Sequence, residues 1–224
     1  GPGFGRGIFF AFGARGAAVW ACDVIEDALA ETGRLCHCTV RTVDVRDRDA
    51  VERFVADASG AGCVHVLVNN AGGVLGQVGR PLEEVTPAEW QAIFDVNVTG
   101  AFLCAQAVAP GMKTAKFGRI VNISSGAGLG ISLTGIQAYA AAKAAQIGLT
   151  RQLAHELGPL GITVNNVAPG FVRSNPTTER QWQSSGAATQ RSLVEVIALN
   201  TLGPVAAIAA GALSGACKKT LSLS

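Results

Sequence analysis

The sequence is poor in charged residues. Asp, Glu, Lys and Arg make up only 15% of its 224 residues, against roughly 25% in an average globular protein. Apolar residues make up 49%, and this balance excludes a disordered chain. The 18 basic and 16 acidic side chains are mixed in short runs such as DVRDRD, with no basic stripe. We therefore expect no nucleic-acid partner.

The chain also lacks a continuous apolar run typical of a membrane span. Asn200 and Pro204 interrupt the best candidate, residues 196–217, and its centre is rich in Ala and Gly. A membrane helix needs about 20 strongly apolar residues, so we predict a buried helix and no membrane partner. The six cysteines do not have the regular spacing of a secreted disulfide framework. With no signal-peptide pattern either, we predict a cytoplasmic protein.

Short strand-like runs alternate with longer helical stretches. The strand candidates are AAVWAC, TVRTVDV, VHVLVNN, GRIVNIS and ITVNNVA. Helices are predicted over residues 6–15, 47–58, 87–106 and 137–157, with a further pair near Leu193 and Ile208. The strand candidates are mostly continuous in Val, Ile and Leu, which is typical of a parallel sheet covered on both faces.

This pattern predicts the α/β fold class. We expect a single-domain, doubly wound, Rossmann-like parallel sheet over residues 1–224, with three α/β/α layers. A cofactor half would take about residues 1–118, and a catalytic and substrate half about residues 119–224.

The glycine-rich opening GPGFGRGI precedes a helix and a strand, the parts of a dinucleotide site. Gly3, Phe4 and Gly5 would lie against the pyrophosphate, although such clusters also form simple turns. Asp23 ends the next strand 18 residues after Gly5, close to the ~20 expected of an acid that binds the adenosine ribose. Asp23 could instead cap the following helix. Its carboxylate would repel a 2′-phosphate, so NAD is favoured over NADP.

Tyr139 is the only tyrosine, and Lys143 lies one helical turn after it. An ammonium beside a phenol stabilises the phenolate and makes proton transfer easier at neutral pH. The same spacing also arises where an aromatic residue packs beside a surface lysine. Upstream, the strand GRIVNIS ends at Ser124 and Ser125, and such carboxyl ends are where α/β sheets bind ligands.

Five motifs together resemble the short-chain dehydrogenase/reductase family. They are NNAG at 69–72, NVTG at 97–100, NISS at 122–125, YAAAK at 139–143 and PG at 169–170. The resemblance implies a catalytic tetrad of Asn97, Ser125, Tyr139 and Lys143.

In that tetrad Tyr139 would be the acid/base for hydride transfer between a nicotinamide and a secondary alcohol or ketone. Ser125, with Ser124 as the alternative, would hold the substrate oxygen. Lys143 would lower the tyrosine pKa and bind the nicotinamide ribose, and Asn97 would anchor a water.

The resemblance also implies further cofactor contacts and partners. The implied cofactor contacts are Asp44 and Val45 at the adenine, Asn70, Ala71 and Gly72 at the adenosine ribose, and Gly170, Val172 and Ser174 near the nicotinamide. Tyr139 and Lys143 would also touch the cofactor. The expected partners are a small-molecule alcohol or ketone and further copies of the chain in a homotetramer or homodimer.

The opening departs from the family's T-G-x-x-x-G-x-G pattern. Gly1, Gly5 and Gly7 fit it literally, but Gly3 and Gly5 as its second and third glycines place Asp23 at the family's distance. In that register the first strand would precede residue 1, so we expect the chain to lack the first strand of its sheet. Two alternatives stay open: an NADP-dependent carbonyl or 3-ketoacyl reductase, and a catalytically inactive nucleotide-binding regulatory protein.

No metal site is predicted. In the triplet Cys36-His37-Cys38, placement on a strand would point His37 away from the two thiols. Trp182 lies in the region that the family uses as a lid over substrate, and it could line the pocket or cover it.

Overall fold

The computed structural model of the chain describes residues 3–60, 62–132, 134–195 and 201–216. The strands in these ranges are β1 (Trp20–Asp23), β2 (Thr39–Thr42), β3 (Val66–Asn69), β4 (Gly118–Ile123) and β5 (Ile162–Val167). The α-helices are α1 (Phe4–Gly13), α2 (Glu26–Cys36), α3 (Arg48–Ser59), α4 (Pro87–Phe94), α5 (Gly100–Ala115), α6 (Gln137–Leu157), α7 (Pro176–Ser184), α8 (Ala187–Glu195) and α9 (Val205–Ala216).

Helices cover both faces of a parallel sheet. Every strand pair among the described residues is parallel, from β1–β2 to β3–β4–β5. On one face, Met112 of α5 and Leu157 of α6 pack with Ile120 of β4. On the other face, Ile8 of α1 packs with Val121 of β4 and with α9. Successive β4 side chains point to opposite faces, and the predicted three-layer, doubly wound fold is confirmed.

The sheet is divided into two pieces. In the described ranges β1 hydrogen-bonds only to β2, and β3 only to β4. The first element in the described ranges is α1. Cys104 and Ala107 of α5 pack against the cluster around Val43 and Val51 that adjoins the two-stranded piece. The helix α5 therefore contacts the cores of both pieces.

The helix predicted over residues 87–106 is interrupted. A π-helical turn, Asp95–Thr99, separates α4 from α5, because Asn97 bonds main-chain groups inside the fold. By contrast, α6 has the predicted bounds. No bounds were predicted for α2, which only the cap alternative for Asp23 implied.

The strand interpretation of the Cys-His-Cys triplet is wrong. Cys36 ends α2, His37 closes that helix in the left-handed conformation with φ 50°, and Cys38 lies in the turn before β2. The left-handed residue reverses the chain at a helix end, which a strand would not require.

One segment, Pro87–Ala115, is long and apolar enough to cross a membrane by length and composition. Within it Leu103, Val108 and Met112 are buried, and the last two pack in the core with Ile120 of β4. The buried helix predicted within 196–217 is present as α9, where Ile208 and Ala212 are buried. Residues 196–200 and 217 lie outside the described ranges.

Candidate active site

The end of β4 and the first turn of α6 bring Ser125 to Tyr139. The Ser125 hydroxyl accepts a hydrogen bond from the Ala127 N–H at 3.2 Å and hydrogen-bonds with Tyr139. Ser124 is 4% exposed and accepts from Asn166 Nδ2 at 2.8 Å. Of the two candidate serines, Ser125 is the one beside the tyrosine.

The tyrosine environment favours the protonated phenol. Burial raises the pKa of Tyr139, and the hydrogen bond from Ser125 partly opposes this rise. A protonated phenol is the form that can donate a proton to a carbonyl oxygen. The lowering of this pKa by Lys143 stays a prediction.

Lys143 is only 3% exposed and its ammonium lies in the core. Its Nζ donates to the Ile123 carbonyl at 2.9 Å and to Gln146 Oε1 at 3.2 Å, and it lies 5.5 Å from the centre of the Tyr139 ring. Burial lowers the pKa of Lys143 to about 8. The side chain is therefore mostly charged at neutral pH although it is buried.

Asn97 is fully buried in the π-helical turn. Its Nδ2 donates to the carbonyls of Ile93 at 2.8 Å and Gly73 at 2.9 Å. Its Oδ1 accepts from the Gly73 N–H at 3.1 Å. These bonds attach the turn to the loop that follows β3.

Gly72 lies between Asn97 and Lys143. Its φ is +149°, and a Cβ there would collide with Asn97 Oδ1 and lie 3.4 Å from Lys143 Nζ. A side chain at this position would therefore displace the Asn97 amide. The structure thus brings all four members of the predicted tetrad to one region, with Gly72 at its centre.

The glycine-rich opening forms a second part of the site. Gly3 precedes α1 without a side-chain cap, so the first N–H groups of the helix can meet a phosphate. A Cβ on Gly5 would lie 3.3 Å from Asn70 Nδ2, and one on Gly3 would lie 3.7 Å from the Ser174 carbonyl. Three segments distant in sequence therefore meet at the start of α1. Phe4 packs its side chain into the core beside α9.

The positions predicted for the adenosine end differ in their surroundings. Asp23 accepts from the Ile25 N–H at 3.1 Å. The helix-cap alternative is wrong, because α2 begins at Glu26 with Ile25 as its N-cap and without a side-chain cap. The ribose role of Asp23 stays a prediction. Asp44 is bound by Arg46, whose hydrogen bonds lower the pKa of the Asp44 carboxyl. The Val45 side chain is buried against Gly100. A contact of Val45 with adenine would therefore fall to its main chain.

The loop after β5 lies beside the Ser125 loop. The Gly126 N–H donates to the Pro169 carbonyl at 2.8 Å. Beyond it Gly170 is exposed and Val172 is 7% exposed. Ala71, in the loop after β3, is exposed.

Trp182 of α7 stacks on Phe171, with 5.8 Å between ring centres. The Arg173 guanidinium lies 6.0 Å from the Trp182 ring and makes two 2.7 Å bonds to Glu179. Trp182 also lines a cavity of about 500 Å³ against α8. It therefore connects the loop after β5 to the helices that follow.

The described residues contain no group of three or more His, Cys, Asp or Glu side chains placed to hold a metal ion. Sequence reasoning missed Gln146, which contacts Lys143. Its position three residues after the lysine, on the same helix face, was the available signal.

The family model for short chain dehydrogenases matches residues 1–185. The chain belongs to the short-chain dehydrogenase/reductase family. Family members are oxidoreductases that use a nicotinamide cofactor. The glycine start of α1, with no side-chain cap at the helix N-terminus, fits the phosphates of such a group.

Relatives in the family carry different names. A (2S)-[(R)-hydroxy(phenyl)methyl]succinyl-CoA dehydrogenase subunit from Thauera aromatica is 39% identical over 77% of this chain and 70% of its own. A 3-alpha-(or 20-beta)-hydroxysteroid dehydrogenase from Mycobacterium bovis is 40% identical over 78% and 67%. A probable galactose dehydrogenase from Rhizobium meliloti is 40% identical over 81% and 70%.

Two solved structures share the fold. NAD+-bound xylitol dehydrogenase superposes with a TM-score of 0.84 at 26% identity, over 96% of this chain and 88% of its own. A 3-oxoacyl-[acyl-carrier protein] reductase from Brucella melitensis also has a TM-score of 0.84, at 35% identity over 95% and 80%.

Proposed function

We propose that the protein transfers hydride between NAD(H) and a secondary alcohol or ketone, with Tyr139 as the general acid/base. The observation that supports this most is the convergence of Ser125, Tyr139 and Lys143 at the end of β4.

NAD(H), when bound, supplies or accepts the hydride at the substrate carbon. In the reduction, Ser125 holds the carbonyl oxygen and Tyr139 donates its proton to that oxygen. Lys143 stabilises the resulting phenolate through its positive charge. Asn97 keeps the loop after β3 in place through its bonds to Gly73 and would anchor a water on the path by which the tyrosine regains its proton.

NAD is proposed over NADP because Asp23 ends β1 at the position that faces the adenosine ribose in the family. A carboxylate there disfavours a 2′-phosphate, since two negative charges at close range repel. The NADP-dependent reductase stays the second candidate, because some relatives are named as 3-oxoacyl reductases. Titration with NADH and NADPH by nicotinamide fluorescence separates the two, and tighter NADPH binding would overturn the NAD assignment.

The test of the function is Tyr139→Phe. We expect hydride transfer, followed by NADH absorbance on hydroxysteroids, sugar alcohols and 3-oxoacyl thioesters, to fall by about 10²- to 10⁴-fold, the usual contribution of a general acid/base. NADH binding should be kept, because the ring remains. Ser125→Ala and Ser124→Ala form a matched pair, in which only the first should impair turnover strongly.

Equal activity in wild type and Tyr139→Phe would overturn the acid/base assignment. Binding of NADH without turnover on any substrate would favour the catalytically inactive nucleotide-binding alternative. We also propose one domain over residues 1–224, a cytoplasmic location, and a homotetramer or homodimer that acts on a small molecule.

A further inference from the structure

The Lys143 ammonium has two of its three donors engaged inside the protein. An ammonium carries three N–H donors and no acceptor. One bond goes to the Ile123 carbonyl at 2.9 Å and one to Gln146 Oε1 at 3.2 Å. The other neighbours of the ammonium are the Tyr139 ring, whose centre lies 5.5 Å from Nζ, and Gly72, where a Cβ would lie 3.4 Å from it.

Gln146 is fully buried on α6. Its Nε2 has no hydrogen-bond partner among the described residues. A buried amide with an unpaired donor destabilises a fold, whereas an apolar side chain of the same size would not. Packing alone therefore does not explain a glutamine here, and its oxygen has a specific partner.

The main chain at Gln146 is anchored to the sheet. Its carbonyl accepts from Thr150 Oγ1 at 2.8 Å, and that hydroxyl accepts from Asn122 Nδ2 of β4 at 2.8 Å. Asn122 Oδ1 in turn accepts from Asn69 Nδ2 of β3 at 2.8 Å. The main chain that carries the Gln146 amide is therefore linked by hydrogen bonds to both β3 and β4.

We propose that Gln146 is a positioning residue that holds the Lys143 ammonium in place beside the tyrosine, with its remaining N–H left for the sugar of the cofactor. This inference rests on the proposed function, because it assigns Lys143 to that chemistry. Gln146 itself does not touch the reacting atoms.

The groups near the ammonium come from three parts of the fold. They are the Tyr139 ring and the Gln146 amide from α6, the Ile123 carbonyl from β4, and Gly72 after β3, where a Cβ would lie 3.4 Å from Nζ. Burial alone lowers the pKa of Lys143, with no contribution from a neighbouring charge. The amide oxygen of Gln146 is therefore the one side-chain acceptor that the described residues supply to the charged form.

Two substitutions separate positioning from packing. Gln146→Met keeps the length and removes the acceptor, whereas Gln146→Glu keeps an acceptor oxygen at the same place. We expect kcat to fall about 10- to 100-fold in the methionine variant, the factor for one hydrogen bond to a charged group. The glutamate variant should keep activity within about fivefold. A packing role predicts the reverse order, because methionine fills the core and glutamate places a carboxyl in it.

A second readout needs no turnover. The chain has five lysines, so the Lys143 ammonium can be followed by nitrogen-15 NMR and assigned with Lys143→Arg. Loss of the acceptor should lower the pKa of Lys143 in Gln146→Met, and the carboxylate should raise it in Gln146→Glu. Thermal unfolding confirms that each variant is folded.

The two readouts separate this inference from the proposed function. If the NMR shifts appear but wild type transfers no hydride, the contact stands and the proposed function fails. An unchanged pKa of Lys143 in Gln146→Met, or higher activity in the methionine than in the glutamate variant, would overturn the positioning role.

Discussion

The tetrad region and the region after β5 are held by different kinds of contact. Asn97 is fully buried and Lys143 is 3% exposed, and both bond main-chain atoms of neighbouring segments. After β5, the Arg173 and Glu179 side chains that pair with each other are 47% and 34% exposed. Buried hydrogen bonds hold the first region, whereas a partly exposed ion pair holds the second.

This difference indicates which part of the molecule can vary. Buried polar groups cost free energy unless they are bonded, so a change to one of them disturbs several others. Exposed ion pairs contribute little to stability. Under the proposed function, the chemistry depends on the buried region, and the choice of substrate depends on surface contacts that can be exchanged without loss of the fold.

Gly72→Ala tests the buried region most severely. A Cβ at Gly72 collides with Asn97, whereas at Gly73, with φ +156°, nothing lies within 4 Å of it. We expect Gly72→Ala to reduce turnover by about 100-fold or more through displacement of the tetrad. Gly73→Ala is the matched control, since it carries a similar backbone strain without the collision. Similar losses in both variants would show that strain, not displacement, is responsible.

The burial of Lys143 predicts a pH-dependent stability. Its pKa is lowered from 10.5 to about 8, so below pH 8 the folded protein keeps a charge that burial disfavours. Between about pH 8 and 10.5 the folded protein has released this proton, while the unfolded chain still binds it. The free-energy cost of burying the charge therefore disappears, and the free energy of unfolding rises with pH.

The stability of wild type relative to Lys143→Met should therefore rise by roughly 3 kcal/mol between pH 8 and 10.5. Thermal unfolding of both proteins across this range measures it, and the contributions of Cys22 and Cys104 cancel in the difference. A constant difference in stability would contradict the burial of a charged lysine.

Trp182→Ala tests the region after β5 and should have the smallest effect on turnover among these variants. Loss of the stack on Phe171 should raise KM by up to about tenfold, with a smaller change in kcat. Trp20 is the matched control, because it also packs on a phenylalanine, Phe54 at 6.2 Å, and lies under an arginine, Arg41 at 5.5 Å. It begins β1, at the end of the strand away from the site. A similar rise of KM in Trp20→Ala would show that the effect is general loosening.

The resemblance to a known family implied the tetrad. Helical spacing brought Tyr139 and Lys143 to one face, and the helical pattern predicted the bounds of α6, because residues one turn apart on a helix share a face whatever surrounds them. The π-helical turn was not predictable in the same way. It exists because Asn97 bonds Gly73, a contact between segments 24 residues apart. The contact of Gln146 with Lys143 depends likewise on the burial of both side chains.

The strand assigned to Cys36-His37-Cys38 failed for a local reason. The apolar and β-branched residues that follow it belong to β2, but the helix α2 in front of it ends only at Cys36. A non-glycine residue in the left-handed conformation, here His37, has a weak sequence signal. The side-chain burial of Val45 depends in turn on the close approach of Gly100.

The π-helical turn Asp95–Thr99 has a consequence for how such a site can arise or be lost. A π-turn contains one residue more than an α-helical turn, and each residue rotates a helix by about 100°. Removal of one residue from this turn would leave an ordinary helix, still apolar enough to pack on the sheet, but with its asparagine turned to another face. Under the proposed function, a change of length in this turn would therefore remove the Asn97 contacts, and with them the role proposed for Asn97, without any change of residue type.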